Sequence, residues 1–245
     1  MTSKANIPKA RDGQNVGAVY ERLRTAILRG EIAAGATVAQ MRLADEFGAD
    51  RTPLREALRM LQRDGLVISE PNRSVRVTAL SGEDFEEICT MRVVLEAVAI
   101  RITVPTLTSA DLAGLEGYMA QMEHYYKVGD DAGMRVPHRK FHQLLVAASG
   151  PRVSGEIADL SDHSERYRRR FGGHGVWDDR RAEHRGIVDA AAAGDQELAA
   201  VRLIEHYART AALVFGVLES EHDLGRLRTA IGAAAPGAEA ALGAS

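Results

Sequence analysis

The sequence is poor in cysteine and in long apolar runs, and each shortage excludes a class of protein. Its 245 residues include one cysteine, Cys89, which excludes a disulfide framework within the chain and a CxxC metal or redox pair. No segment approaches the roughly 18 to 20 apolar residues of a membrane span. Residues 1–17 also lack the apolar core of a signal peptide. These absences predict a cytoplasmic protein that does not associate with a membrane.

Net charge does not reveal a nucleic-acid partner. The formal charge is −3 at pH 7, and residues 15–80 hold ten arginines against eight acidic residues. DNA binding must therefore rest on a concentrated basic patch, because the overall charge does not favour it. With 45% apolar residues, the chain can form one large domain or two small ones.

The first 80 residues are predicted to form a winged helix-turn-helix. Residues 1–14 are polar and aperiodic, which predicts a disordered arm. Apolar residues at helical spacing then predict three helices, the second over residues 40–47 and the third beginning at Asp50. Alternating residues on both sides of the turn at residues 71–74 predict a short hairpin. Three helices and a hairpin within residues 15–80 are the layout of a winged helix.

Arginine recurs every four residues along the third helix. Residues four apart share a helix face, so Arg51 and Arg55 can enter a major groove together while Arg59 turns toward its flank. A guanidinium binds guanine or phosphate with two hydrogen bonds, and Arg73 at the hairpin tip can reach the minor groove. The alternative is a solvated charged face with Glu56 as partner. The hairpin directly after the helix favours DNA binding.

From Ser81 onward the sequence predicts helices alone. Apolar residues recur at helical spacing in several segments. One such stripe consists of Met91, Leu95, Val98 and Ile102. Helices joined by short turns predict an antiparallel all-α bundle over residues 81–227, so the whole chain is mainly α. The Ala- and Gly-rich sequence of residues 228–245 predicts a flexible tail.

Four of the eight histidines lie on apolar helix faces. His138 and His142 are one turn apart, and His184 and His206 lie at similar distances from the turn at Gly194. A single inward histidine is usually a hydrogen-bonded core residue. Four of them are explained together by a shared divalent metal, because imidazole nitrogen is a good transition-metal ligand. Zinc is the expected metal, with nickel or manganese as alternatives.

One stretch resembles the DNA-binding domain of the GntR family: LRTAILRGEIAAGATV, followed by LADEFGADRTPLREALRMLQRDGLV. The RTPLREAL segment is the most specific part. The resemblance implies DNA contacts by Arg51, Thr52 and Arg55. Two positions depart from the family's pattern, since Asp50 replaces the usual serine or threonine and Ser74 replaces the usual glycine. Asp50 should still cap the helix, but an acid there should repel phosphate.

The helical half resembles the FCD domain, which is the ligand-sensing domain of GntR regulators. The marks are MRVVLEAVAI, HRKFH, EHRGIVDAAAAGD and the late histidine of RLIEHYA. Metal-binding members hold the ion with a DxxxH pair and two later histidines, which implies His138, His142, His184 and His206 here. His138 departs from the pattern, because aspartate is usual there. Four neutral imidazoles leave a divalent site near +2, so we hypothesise a greater affinity for anions; alternatively, His138 stays unbound and leaves more open positions.

The same resemblance implies a small carboxylate effector bound against the metal. Arg92, in the MRVVLE segment, matches an arginine that often faces the effector cavity. The alternative interpretation is a surface arginine paired with Glu87 or Glu96.

The leading interpretation is a transcription regulator that binds a palindromic operator as a homodimer and represses until an effector binds. A second interpretation makes the metal itself the signal. The third is a metalloenzyme, because three histidines with an open site can activate water. Against an enzyme, the sequence has no HExxH, GxSxG or phosphate-binding glycine loop. Glu183, beside His184, is expected to point elsewhere on its helix.

Overall fold

The computed structural model describes residues 15–71, 73–171, 177–219 and 221–243. The arm predicted over residues 1–14 lies outside the described residues. The chain divides into two compact units at the Leu80–Ser81 bond.

The first unit is a three-helix fold with a small sheet. Its helices are α1 (Val16–Leu28), α2 (Gln40–Phe47) and α3 (Arg51–Arg63). Its strands are β1 (Thr37–Ala39), β2 (Val67–Glu70) and β3 (Ser74–Val77). All pairs are antiparallel and β3 is central, with Val38 of β1 opposite Val75. The hairpin of β2 and β3 is the predicted wing, whereas β1 was not predicted, because three residues are too few for an alternating pattern.

Helix α3 packs one apolar face on the other helices of this unit. Leu54, Ala57 and Leu61 are buried together with Leu23 of α1 and Leu43 of α2. This burial supplies the hydrophobic free energy that holds α3 in place and leaves its opposite face in water.

Asp50 occupies the N-cap position of α3, but its side chain makes no capping hydrogen bond. The capping role predicted for this carboxylate is therefore wrong, although the predicted helix start is right. Its backbone carbonyl still accepts the first helical hydrogen bond, from Leu54 at 3.0 Å. Because this end of the helix is exposed, water can satisfy the first-turn N–H groups.

The second unit is all-helical in the residues described. Its helices are α4 (Gly82–Thr103), α5 (Ser109–Lys127), α6 (Asp131–Leu145), α7 (Pro151–Phe171), α8 (Trp177–Ala192), α9 (Gln196–Leu218) and α10 (Gly225–Ala234). Helix α4 packs against α7, α9 and α10, and α8 packs against α5 and α9. Among the described helices, none is both long enough and apolar enough to cross a membrane.

The predicted flexible tail is instead packed structure as far as Gly243. Helix α10 buries Leu227 and Ile231 and packs against α4, and a short 3-10 helix over Ala238–Leu242 buries Leu242. The Ala- and Gly-rich composition suggested a flexible chain, but apolar residues four apart still form one face. Burial of that face stabilises a helix even where propensity is weak.

The apolar stripe predicted on α4 faces solvent for three of its four members. Met91, Val98 and Ile102 are 45%, 55% and 46% exposed, and Val94 on the same side is 47% exposed. The buried side of α4 includes Phe85, Val93, Ala97 and Ile100. Both sides are apolar, so spacing alone did not show which side faces the core.

Candidate metal centre and DNA-binding face

Three helices of the second unit bring the four predicted histidines together. Helix α6 contributes His138 and His142, α8 contributes His184 and α9 contributes His206. Each ring offers one nitrogen, and these four atoms lie within 4.8 Å of one another. We call this group the histidine cluster. The turn between α8 and α9 contains Gly194 at a φ of 71°, in the left-handed region that favours glycine, and it folds the two helices against each other.

The cluster has a buried side and an open side. His142, His184 and His206 are buried, whereas His138 is half-buried. Among the described residues, Nε2 of His142 is buried with no hydrogen-bond partner. Both ring nitrogens of His184 are buried without a hydrogen bond of good geometry, although the Arg180 backbone carbonyl lies close enough to oppose the lowering of that ring's pKa. A buried polar atom left without a partner costs about 1 to 3 kcal/mol. One unpartnered nitrogen from each of these two rings, together with the other two imidazoles of the cluster, therefore fits a transition-metal ion.

Burial keeps these rings in the form that binds metals. It is the largest cause lowering the pKa of His138, His142 and His184 well below the usual 6.5. For His206 burial also lowers the pKa, while the Glu183 carboxylate opposes this shift. Neutral imidazole retains a lone pair, whereas imidazolium has none to offer a metal.

Two hydrogen bonds hold the cluster from outside. Nδ1 of His206 lies 2.7 Å from Glu183 Oε2, and Nδ1 of His142 lies 3.1 Å from the Tyr207 hydroxyl oxygen. The expectation that Glu183 points elsewhere is therefore wrong, because α8 and α9 pack together and Glu183 contacts His206 across them. Metal-ligating histidines commonly make such bonds, which fix the ring's orientation and tautomer. Sequence reasoning missed Tyr207 altogether, although its position directly after His206 was the available signal.

Arg92 is buried and belongs to a polar network rather than to the surface. Its Nε donates to Glu96 Oε1 at 2.8 Å, and its terminal nitrogen donates to Ser164 Oγ at 3.2 Å. The guanidinium carbon lies 4.2 Å from the centre of the Tyr207 ring. The alternative interpretation, a surface arginine paired with Glu87 or Glu96, is thus wrong in placing Arg92 on the surface and right in naming Glu96 as its partner. The effector role implied for Arg92 stays a prediction.

The first unit presents its arginines to water. Arg51, Thr52, Arg55 and Arg59 are all exposed on α3. Glu56 lies 2.8 Å from an Arg59 nitrogen and 4.0 Å from an Arg55 nitrogen. Exposed ion pairs such as these are worth roughly 0 to 1 kcal/mol, so phosphate can replace the Glu56 carboxylate cheaply. The predicted ion-pair alternative is therefore compatible with DNA binding.

Arg73 lies at the tip of the wing with an exposed side chain. Its φ of 56° is in the left-handed region, and no other described non-glycine residue has a positive φ. Ser74, where the family's glycine was expected, instead donates its hydroxyl proton to the Pro71 carbonyl at 2.6 Å. The wing turn thus closes without glycine at residue 74, and the strained position belongs to the arginine.

A winged helix with an exposed arginine face, followed by a separate helical unit, defines a DNA-binding regulator. Comparison with known families gives the same result. Residues 15–77 match the family described as bacterial regulatory proteins, gntR family, and residues 87–209 match the FCD domain. The chain therefore belongs to the GntR family of transcriptional regulators and carries an FCD domain.

Relatives and solved structures agree with this assignment. The "Probable D-xylose utilization operon transcriptional repressor" of Paenarthrobacter nicotinovorans is 30% identical, covering 74% of this chain and 80% of that protein. The HTH-type transcriptional regulator YdhC of Bacillus subtilis is 29% identical, covering 77% and 85%. The solved structure of E. coli McbR/YncC shares the fold at a TM-score of 0.72 and 22% identity, covering 82% and 97%. The family and these names identify a regulator of transcription rather than an enzyme.

Proposed function

We propose that this regulator is a repressor whose affinity for its operator is controlled by a small carboxylate bound at a metal centre. The observation that carries the proposal is the set of buried, unpartnered ring nitrogens in the histidine cluster. A core without a metal function would leave these nitrogens unsatisfied at a cost in stability.

The ligands of the proposed metal are His138, His142, His184 and His206. Zinc suits four imidazole nitrogens, with nickel or manganese as alternatives. A divalent ion there would supply the positive centre that attracts a carboxylate. His138 is the least buried ligand, so an effector would meet the cluster from that side. Because four neutral imidazoles leave the ionic charge uncompensated, the site favours an anion.

On the DNA side, the proposed contacts are Arg51, Thr52, Arg55, Arg59 and Arg73. A homodimer would pair two such faces on a palindromic operator. The exposed stripe on α4, formed by Met91, Val94, Val98 and Ile102, supports self-association. Its residues are three or four apart, which is the spacing of a helix packed against another helix, and such stripes on a surface commonly mark interfaces.

A second candidate function makes the metal itself the signal. Four imidazoles are enough to complete a tetrahedral zinc sphere, which leaves no open position for a carboxylate. The metal would then change operator affinity without an organic effector.

Operator binding by the full chain tests both candidates. Fluorescence anisotropy would follow a DNA fragment from upstream of the regulator's own gene, with metal-free and zinc-loaded protein, alone and with acetate, malate or citrate. Release by a carboxylate from zinc-loaded protein supports the effector proposal, and a response to zinc alone supports the second candidate. The His142→Ala, His184→Ala double variant should lose either response, whereas exposed His124→Ala is the matched control and should keep it. If the double variant responds as the wild type does, both candidates are wrong.

A further inference from the structure

A relay of hydrogen-bonded side chains runs from α4 to the histidine cluster through the core of the second unit. It joins Arg92 and Glu96 of α4, Tyr207 of α9 and His142 of α6. All four side chains are buried, and Glu96 is only 1% exposed. Because these side chains are far from water, the hydrogen bonds of each group are decided by its neighbours in the relay.

The chemistry of the groups fixes the direction of each bond. Arg92 carries only donors, and its Nε donates to Glu96 Oε1, so this carboxylate oxygen is the acceptor. The Tyr207 hydroxyl donates to the other carboxylate oxygen, Glu96 Oε2. Tyr207 has one proton, so its oxygen can only accept at the 3.1 Å contact with Nδ1 of His142. His142 must therefore carry its proton on Nδ1.

That assignment leaves Nε2 of His142 unprotonated. Nε2 is the buried atom of this ring that has no partner among the described residues, so it is the nitrogen that His142 can offer to the histidine cluster. We propose that Arg92, Glu96 and Tyr207 are positioning residues that hold His142 in the tautomer whose Nε2 lone pair faces the metal centre. The metal-binding part of this inference rests on the proposed function, whereas the tautomer can be measured without any metal.

His206 is held by a similar but shorter set of hydrogen bonds. Glu183 accepts from Nδ1 of His206 directly at 2.7 Å, and Arg209 donates to the other Glu183 oxygen at 3.3 Å. In both cases an arginine holds a glutamate as an acceptor, and a histidine turns its Nδ1–H away from the cluster. At His142 the tyrosine hydroxyl spans the extra distance between the carboxylate and the ring.

Two substitutions test the relay in the full-length protein. Tyr207→Phe removes the acceptor for His142 Nδ1–H. Glu96→Gln can donate an amide proton to Tyr207, so that the hydroxyl proton turns toward Nδ1 and the ring proton moves to Nε2. Tyr167→Phe is the control, because this tyrosine is also buried and bonded to a carboxylate, Asp84, outside the cluster. Circular dichroism would establish that each variant is folded, and if one test variant does not fold, the other still tests the proposal.

The first readout is the tautomer of His142 in metal-free protein, from long-range ¹H–¹⁵N correlation spectra of the histidine rings. We expect a proton on Nδ1 in the wild type and in Tyr167→Phe, and a changed His142 signal in Tyr207→Phe and Glu96→Gln. A wild-type ring protonated on Nε2, or a His142 signal unchanged in both variants, would overturn the proposal.

The second readout is zinc affinity, from competition with a chromophoric chelator. Loss of an outer hydrogen-bond partner typically weakens metal binding about 10- to 100-fold. We expect that loss in Tyr207→Phe and Glu96→Gln and none in Tyr167→Phe. Unchanged affinity in both test variants would refute a positioning role. If the wild type binds no zinc but the tautomer changes as stated, the proposed metal centre fails while the relay itself is supported.

Discussion

The two units of this regulator differ in how they place their functional groups: the winged helix exposes them to solvent, and the helical unit buries them. In the winged helix, the arginines of α3 stand in water on a face backed by buried leucines. In the helical unit, imidazoles are withdrawn from water, and two of them are held by partners on neighbouring helices: His206 by Glu183 of α8 and His142 by Tyr207 of α9. An exposed site can be changed at little cost to folding. A buried polar site ties binding to stability, because its groups lack water as a substitute partner.

Acidification of metal-free protein should have the largest effect, a loss of stability that arises from the buried histidines of the helical unit. Burial lowers the pKa of the cluster histidines in the folded state below 6.5. As the pH falls below about 6.5, the unfolded chain binds protons that the folded state excludes, so stability falls by about 1.4 kcal/mol per pH unit for each such histidine. The free energy of unfolding therefore keeps its full value above that pH and declines toward about pH 5. Urea unfolding measured across this range checks the prediction.

The matched comparison for acidification is the His142→Gln, His184→Gln variant. It lacks two of the buried titrating groups, so its unfolding free energy should depend less steeply on pH. Equal pH slopes in the variant and the wild type would contradict the assignment of the effect to the histidine cluster.

Arg55→Ala tests the exposed site. We expect operator affinity to fall about 10- to 100-fold, since a good arginine contact with a base contributes about 1 to 3 kcal/mol. The unfolding free energy should change by no more than about 0.5 kcal/mol, because the side chain is 62% exposed. Arg29→Ala, at the exposed end of α1, is the control and should leave operator affinity unchanged. A large loss of stability in Arg55→Ala would remove the distinction between the two units.

His138→Asp tests the charge of the buried site. An aspartate ligand would lower the charge of a divalent centre from near +2 to near +1. We expect carboxylates to bind the metal-loaded variant roughly threefold to tenfold more weakly, by the weakening of Coulomb attraction in a partly screened site. Isothermal titration with acetate or citrate measures the effect. Tighter anion binding by the variant would refute the charge argument.

Arg73→Gly carries the smallest expected effect. Left-handed backbone costs a residue with a side chain about 1 to 2 kcal/mol, and glycine avoids that cost, although its extra freedom in the unfolded chain offsets part of the gain. We expect the winged helix to gain up to about 1 kcal/mol while operator affinity falls. Arg73→Asn, which removes the charge and tolerates this backbone, separates the two effects. No gain in stability in either variant would show that the wing turn is unstrained.

The spacing of residues along the sequence predicted those features that lie within a single helix or hairpin. The buried Leu54 and Leu61 and the exposed Arg51 and Arg55 follow from helical spacing along α3. His184 and His206 could be matched because both lie on one hairpin, so distance from Gly194 fixes their heights.

Features that depend on distant partners could not be predicted in this way. Glu96 and Tyr207 are 111 residues apart in sequence, and neither residue alone signals their hydrogen bond. The orientation of α4 was equally hidden, because Val93 on its buried side and Val98 on its exposed side are alike in hydropathy. Their environments are set by what α7, α9 and α10 cover.

The most direct test of a metal centre is the metal content of the purified chain. Full-length protein would be prepared without a histidine tag or chelator and analysed by mass spectrometry, alongside the His142→Ala, His184→Ala variant. We expect about one zinc, nickel or manganese ion per chain in the wild type and none in the variant. A folded, DNA-binding wild type that retains no metal, even after incubation with each of these ions, would contradict the metal centre.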